Sequence, residues 1–131
     1  MEARRSGRWS RFAVYWALLI LALCLLPKSS VPEPGFLDRI HFDKLVHAFL
    51  FGVLHCLVLK AVYGSGSTLR SHLMIGAMVI LYGGTVELLQ KALDLGRNGD
   101  LADLAADAGG VILATALLRR AEVRRSVPYN S

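Results

Sequence analysis

Four long apolar runs alternate with short polar segments along the chain: Phe12 to Leu26, Leu45 to Leu59, Ser71 to Val86 and Leu104 to Leu118. A helix at a water-facing surface keeps a polar face at 3.6-residue spacing. The run from Ala13 to Leu26 has no such face anywhere around its circumference, and the second and third runs are nearly as uniform. Each run meets a charge before it reaches the roughly 20 apolar residues that a membrane span requires. The flanks supply the difference, because Arg11, Lys60, Arg70, Arg119 and Arg120 lay aliphatic stems along the helix and hold their charges at the interface. The pattern predicts an all-α protein: a bundle of four transmembrane helices over residues 12–118, with a basic N-terminal segment 1–11 and a basic tail 119–131.

Breakers fall between the runs. Pro27, Pro32, Pro34 and Gly35 end the first helix and open an extended loop, in which Phe36 to Ile40 reads as an amphipathic turn at the interface. The second helix is expected to begin near Asp43, whose carboxylate suits the positive end of the helix dipole. Gly64 to Ser67 reads as a short turn, and Gly96 to Gly99 breaks the chain between the last two helices. Gly76, Gly83 and Gly84 in the third helix and Gly109 and Gly110 in the fourth permit close helix approach.

Charge orients the bundle. The formal charge is +5, and ten of the fifteen basic residues (Arg4, Arg5, Arg8, Arg11, Lys60, Arg70, Arg119, Arg120, Arg124 and Arg125) share one side if the chain crosses four times. By the positive-inside rule both termini are cytoplasmic, and the first and third loops face outward. These basic residues read as topology signals with affinity for anionic lipid, which excludes a nucleic-acid surface. A basic start and a short apolar core also fit a secretory signal, but no small-x-small cleavage site follows Leu25-Leu26-Pro27-Lys28, so an uncleaved first span is expected. Cys24 and Cys56 lie inside predicted spans and read as packing residues.

Acidic residues have the opposite asymmetry, and they carry the candidate chemistry. Eight of the ten, including Asp43, Glu87, Asp100, Asp103 and Asp107, fall in or beside the two outward loops. Asp43 and His47 are i and i+4 on the second helix; Glu87 and Gln90 are i and i+3 on the third. Asp94 and Arg97 follow one and two turns later if that helix persists. Asp100, Asp103 and Asp107 share a face at the start of the fourth. A lone carboxylate in lipid costs at least a few kcal/mol, so these three polar stripes are expected to turn toward one another or toward water.

Asp43-Lys44-x-x-His47, Glu87-x-x-Gln90, Arg97-x-x-Asp100-x-x-Asp103 and Asp107-x-x-Gly110 together resemble the VanZ-like family of small bacterial membrane proteins. The resemblance runs from about Asp43 to Gly110. It implies a multi-pass bacterial cell-membrane protein with a four-helix membrane domain and a link, in some members, to reduced susceptibility to teicoplanin and related glycopeptide antibiotics. Asp107 departs from that pattern, which more often has Asn there, and so adds a potential negative charge.

Several readings of the stripes are open. In one, Asp43, Lys44, Gln90, Arg97, Asp100 and Asp107 bind an anionic lipid or cell-wall precursor, with the Arg97 guanidinium offering a planar bidentate grip on phosphate or carboxylate. In a second, Glu87, His47 and Asp103 are catalytic, as general acid and base or as ligands of a divalent metal. Carboxylates suit magnesium or manganese and His admits zinc, but no H-E-x-x-H or comparable motif fixes the metal. In a third the network gates a small conduit or is purely architectural, with Asp43 a helix cap, Asp100 an N-cap, Lys44 an interfacial anchor and Arg97 a counter-charge. His55, two turns deeper than His47, reads as a hydrogen-bonded packing residue, and His72 requires no special role.

Overall fold

The computed structural model describes residues 2–26, 42–94 and 101–126 and is helical throughout, with short turns. Four helices follow one another: α1 (Glu2–Cys24), α2 (Phe42–Tyr63), α3 (Leu69–Ala92) and α4 (Leu101–Ser126). α2, α3 and α4 each contain one of the apolar runs and extend past it, and α1 holds the first run as far as Cys24. α1 continues back through Arg11 and Arg8, and α4 continues through Arg119, Arg120, Arg124 and Arg125, so the basic segments at both ends are largely helical. The expected amphipathic turn at 36–40 and the break at 96–99 lie outside the described residues.

Three helices, α2, α3 and Leu101–Arg125 of α4, are long and apolar enough to cross a membrane. At about 1.5 Å per residue, the 22 residues of α2 span about 33 Å, slightly more than the hydrocarbon core. Their outward surfaces are apolar: Leu81, Leu88, Leu101 and Ile112 are each mostly exposed, as suits contact with acyl chains. α1 is polar in its first half, where Arg8 and Arg11 interrupt it.

Local chemistry sets the helix ends. Gly64, at φ +60°, makes the tight turn after α2. Thr68 then caps α3, its hydroxyl accepting from Ser71 N at 3.2 Å while Ser71 Oγ accepts from Thr68 N at 3.3 Å. α3 stops at Ala92 because Asp94 adopts a left-handed conformation, φ +47°, one of the few non-glycine residues to tolerate it. Asp94 is therefore not a further turn of α3.

α2 is the centre of the bundle and packs against each of the other helices. Leu50, Phe51, Leu54 and Leu59 of α2 meet Ile20 and Cys24 of α1, Ile75, Val79 and Val86 of α3, and Val111 of α4 in one core. The α2–α4 crossing is a contact of backbones. A Cβ at Gly110 would sit 1.9 Å from Ala48 O, so only glycine fits there. α1 is held differently, by side chains that donate to backbone carbonyls: Trp16 Nε1 to Leu50 O at 2.9 Å, Tyr82 Oη to Ala17 O at 2.6 Å and Gln90 Nε2 to Cys24 O at 2.6 Å.

Candidate functional site

The backbone crossing at Gly110 explains where the polar residues go. Asp103, Asp107 and Gly110 lie at i, i+4 and i+7 on α4, and therefore on one face. With Gly110 pressed on Ala48, that face is carried onto the first two turns of α2. Lys44 and His47 stand opposite. Lys44 Nζ donates to Asp103 Oδ1 at 2.8 Å and to Asp43 Oδ2 at 3.3 Å, and His47 Nδ1 lies 3.0 Å from Asp107 Oδ1.

α3 supplies the third wall. Gly83 and Glu87 are i and i+4, and the absence of a side chain at 83 makes room for Asp107, since a Cβ there would be 2.6 Å from Asp107 Oδ2. Glu87 is buried beside the cluster. His47, Glu87 and Asp103 each place one metal-ligating atom within 4.8 Å of the others. The three residues singled out as candidate catalytic groups thus converge from three helices. The Phe51 ring stacks on the His47 imidazole, with centroids 6.2 Å apart and planes 6° apart, and closes the site on its deep side.

Exposure is graded across the site. Asp43 is open, with 61% of its side chain exposed, Lys44 and Asp103 are partly covered, and Asp107 is 1% exposed. Among the described residues, four carboxyl groups, those of Asp43, Glu87, Asp103 and Asp107, face one ammonium, that of Lys44, and one imidazole. The site is thus rich in oxygen donors. His47, with Nδ1 engaged by Asp107, keeps Nε2 for a ligand, the carboxylate–imidazole arrangement found behind metal-bound histidines.

Not every residue of the sequence-derived set arrives there. Gln90 turns its amide nitrogen to Cys24 O, at the end of α1. Arg97 and Asp100 lie outside the described residues. Gly83 and Phe51 shape the site without belonging to any polar stripe. Their signal in the sequence is spacing alone, Gly83 being one turn before Glu87 and Phe51 one turn after His47.

Compared with family models, with curated proteins and with solved structures, the chain matches none.

Proposed function

We propose that the chain is a bacterial cell-membrane protein of the VanZ-like kind, crossing four times with both termini cytoplasmic. On this reading its outward end binds a divalent cation between His47, Glu87 and Asp103. Through that cation and Lys44 it then holds the phosphate or carboxylate of an anionic lipid or cell-envelope intermediate. The observation that carries this reading is the approach of one nitrogen and two carboxyl ligands to within 4.8 Å of one another. A set of one imidazole and two carboxylates suits manganese or zinc and leaves coordination positions for a substrate oxygen.

The excess of carboxyl groups supports a cation-mediated grip over a direct one. Lys44 is already shared by Asp103 and Asp43, so a bare anion would meet more negative than positive charge. The topology rests on the basic residues at both ends of the chain and on Lys60 and Arg70 on either side of the α2–α3 turn, and α1 supplies the fourth crossing if Arg8 and Arg11 stay at the interface.

A second reading is favoured by the part-buried His47–Asp107 pair. An imidazole oriented by a carboxylate is also the arrangement of a general base, so the same site would serve a metal-assisted hydrolase acting on that head group.

Co-purification with lipid tests the first reading. Protein in nanodiscs containing phosphatidylglycerol is expected to retain more of that lipid, by native mass spectrometry, with Mn2+ than with a chelator. Glu87→Gln is expected to abolish the difference while the helical circular dichroism is kept. Retention that ignores both the metal and Glu87 overturns the reading. Turnover of a lipid-linked phosphate that is lost in Glu87→Gln with binding retained favours the hydrolase.

A further inference from the structure

The flank of the bundle where α1 meets α2 carries an open apolar groove of about 320 Å³, lined by Phe12, Tyr15, Trp16 and Leu19 of α1 and by Val53 and Leu57 of α2. The two helices run antiparallel there, since Trp9 stands beside Lys60 while Trp16 donates to Leu50 O. From Phe12 to Leu19 the groove follows α1 for about 10 Å. Trp16 spends its single N–H on the Leu50 carbonyl, so of these six side chains only that of Tyr15 still offers a polar group. Whatever fills the groove must be apolar along most of its length.

One end of the groove is basic. Arg8 lies one turn before Phe12 on the same face of α1, Arg11 lies one turn before Tyr15, and Lys60 lies one turn after Leu57 on α2. All three are exposed. Lys60 Nζ sits 4.8 Å from the Trp9 ring centroid, a cation–π contact that keeps the ammonium at the mouth of the groove and leaves N–H groups for an anion. Among the described residues, none of the three is paired with a carboxylate. An apolar slot that ends on three such cations matches a lipid, with an acyl chain in the slot and a phosphate at its mouth. A second copy of the chain does not match it, because a copy inserted the same way brings its own Arg8, Arg11 and Lys60 to the same level.

We infer that this groove holds one anionic phospholipid at the basic end of the bundle, with an acyl chain laid along Tyr15, Trp16 and Val53 and the phosphate on Lys60, Arg8 and Arg11. A guanidinium grips two phosphate oxygens in one plane, and Lys60 adds a point charge. A lipid seated there bridges α1, whose first half is polar, to the long apolar α2 and so favours the fourth crossing. The site goes beyond the metal-dependent binding proposed above and is separate from it, because Lys44 and Lys60 stand near opposite ends of α2, about 24 Å apart along its axis. It needs no metal, since its own charge is positive. It rests on α1 entering the bilayer with Arg8 and Arg11 at the interface, and not on the metal centre or on which end of the bundle faces the cytoplasm.

Trp9 and Trp16 are the chain's two tryptophans, and both stand at the groove, so their fluorescence reads it directly. The full chain is placed in vesicles of equal parts phosphatidylglycerol and phosphatidylcholine, with bromine on the acyl chains of one lipid or of the other. Quenching is expected to show phosphatidylglycerol preferred about fivefold or more, the effect of one or more basic residues near a bilayer surface. Lys60→Gln and Arg8→Gln are each expected to reduce that preference severalfold, and Arg124→Gln, in the last turn of α4, to leave it unchanged. Equal quenching by the two brominated lipids overturns the site. So does a preference that falls as much with Arg124→Gln as with Lys60→Gln, which is the mark of general surface charge. Fluorescence that ignores both the lipids and iodide in the water means that protein covers the groove, and overturns the site alone. Fluorescence quenched only by iodide places α1 outside the bilayer and overturns the fourth crossing together with the site. The comparison of lipids needs no variant, so a misfolded substitution leaves the test standing.

Discussion

His47 and Asp107 meet across the α2–α4 contact with Nδ1 3.0 Å from Oδ1, and the carboxyl group of the pair is 1% exposed. The pair exists because Gly110, one turn beyond Asp107, lets α4 touch the α2 backbone at Ala48. Packing at one glycine and chemistry at two polar side chains are therefore one feature.

Replacing that glycine is expected to damage both. In Gly110→Ala the new methyl would lie 1.9 Å from Ala48 O, so the helices must separate. Loss of about 3 kcal/mol is expected, at the upper end of overpacking effects. Thermal unfolding in detergent, followed by helical circular dichroism, checks it, with Gly109→Ala as the comparison because nothing lies within 4 Å of a Cβ there.

Gly83→Ala acts at shorter range. Its methyl would meet Asp107 Oδ2 at 2.6 Å and Phe51 Cε1 at 3.0 Å, so the carboxylate must move away from His47. A moderate loss of stability, about 1 to 3 kcal/mol, is expected together with loss of divalent-cation binding. Calorimetric titration with Mn2+ reads the second effect.

Among the described residues, three hydrogen bonds to backbone carbonyls reinforce the packing of α1. Gln90→Leu removes the one to Cys24 O and Tyr82→Phe the one to Ala17 O. Each is expected to cost about 0.6 kcal/mol, the average for hydrogen bonds between membrane helices. Steric trapping or urea unfolding in micelles checks the magnitude. Retained metal binding in Gln90→Leu agrees with the direction of its amide, away from the cluster.

Much of this arrangement was legible in the sequence. Four apolar runs gave four helices, and the i, i+4 spacing of Asp43 with His47 and of Asp103 with Asp107 gave faces that do meet. The end of α3 was less legible, because Asp94 in a left-handed conformation does the work usually left to glycine. Gln90 reads as part of the Glu87 stripe, but it turns to the last carbonyls of α1, whose position no local spacing reveals. A hydrogen-bonded string from His55 through His72 and Ser67 to Glu122 was illegible for the same reason. Its members come from α2, the turn, α3 and α4 with no common period, and only the packed bundle brings them together.

Topology has its own check. With both termini cytoplasmic, a cysteine placed at Ser65 in the α2–α3 turn is expected to resist an impermeant thiol reagent applied to whole cells, and one placed at Gly99 to react. The reverse pattern would turn the His47 site toward the cytoplasm. Cys24 and Cys56 are first replaced by Ser or Ala, because both are free thiols.

The most direct measurement is the binding of Mn2+ to the protein in nanodiscs, followed by electron paramagnetic resonance. One ion per chain is expected. Asp107→Asn, which leaves the three ligands in place but loosens His47, is expected to weaken affinity by about 10- to 100-fold. Glu87→Gln is expected to weaken it at least as much. No stoichiometric binding, or an affinity unchanged in Glu87→Gln and in Asp103→Asn while both variants keep their helical content, contradicts a metal centre at His47, Glu87 and Asp103.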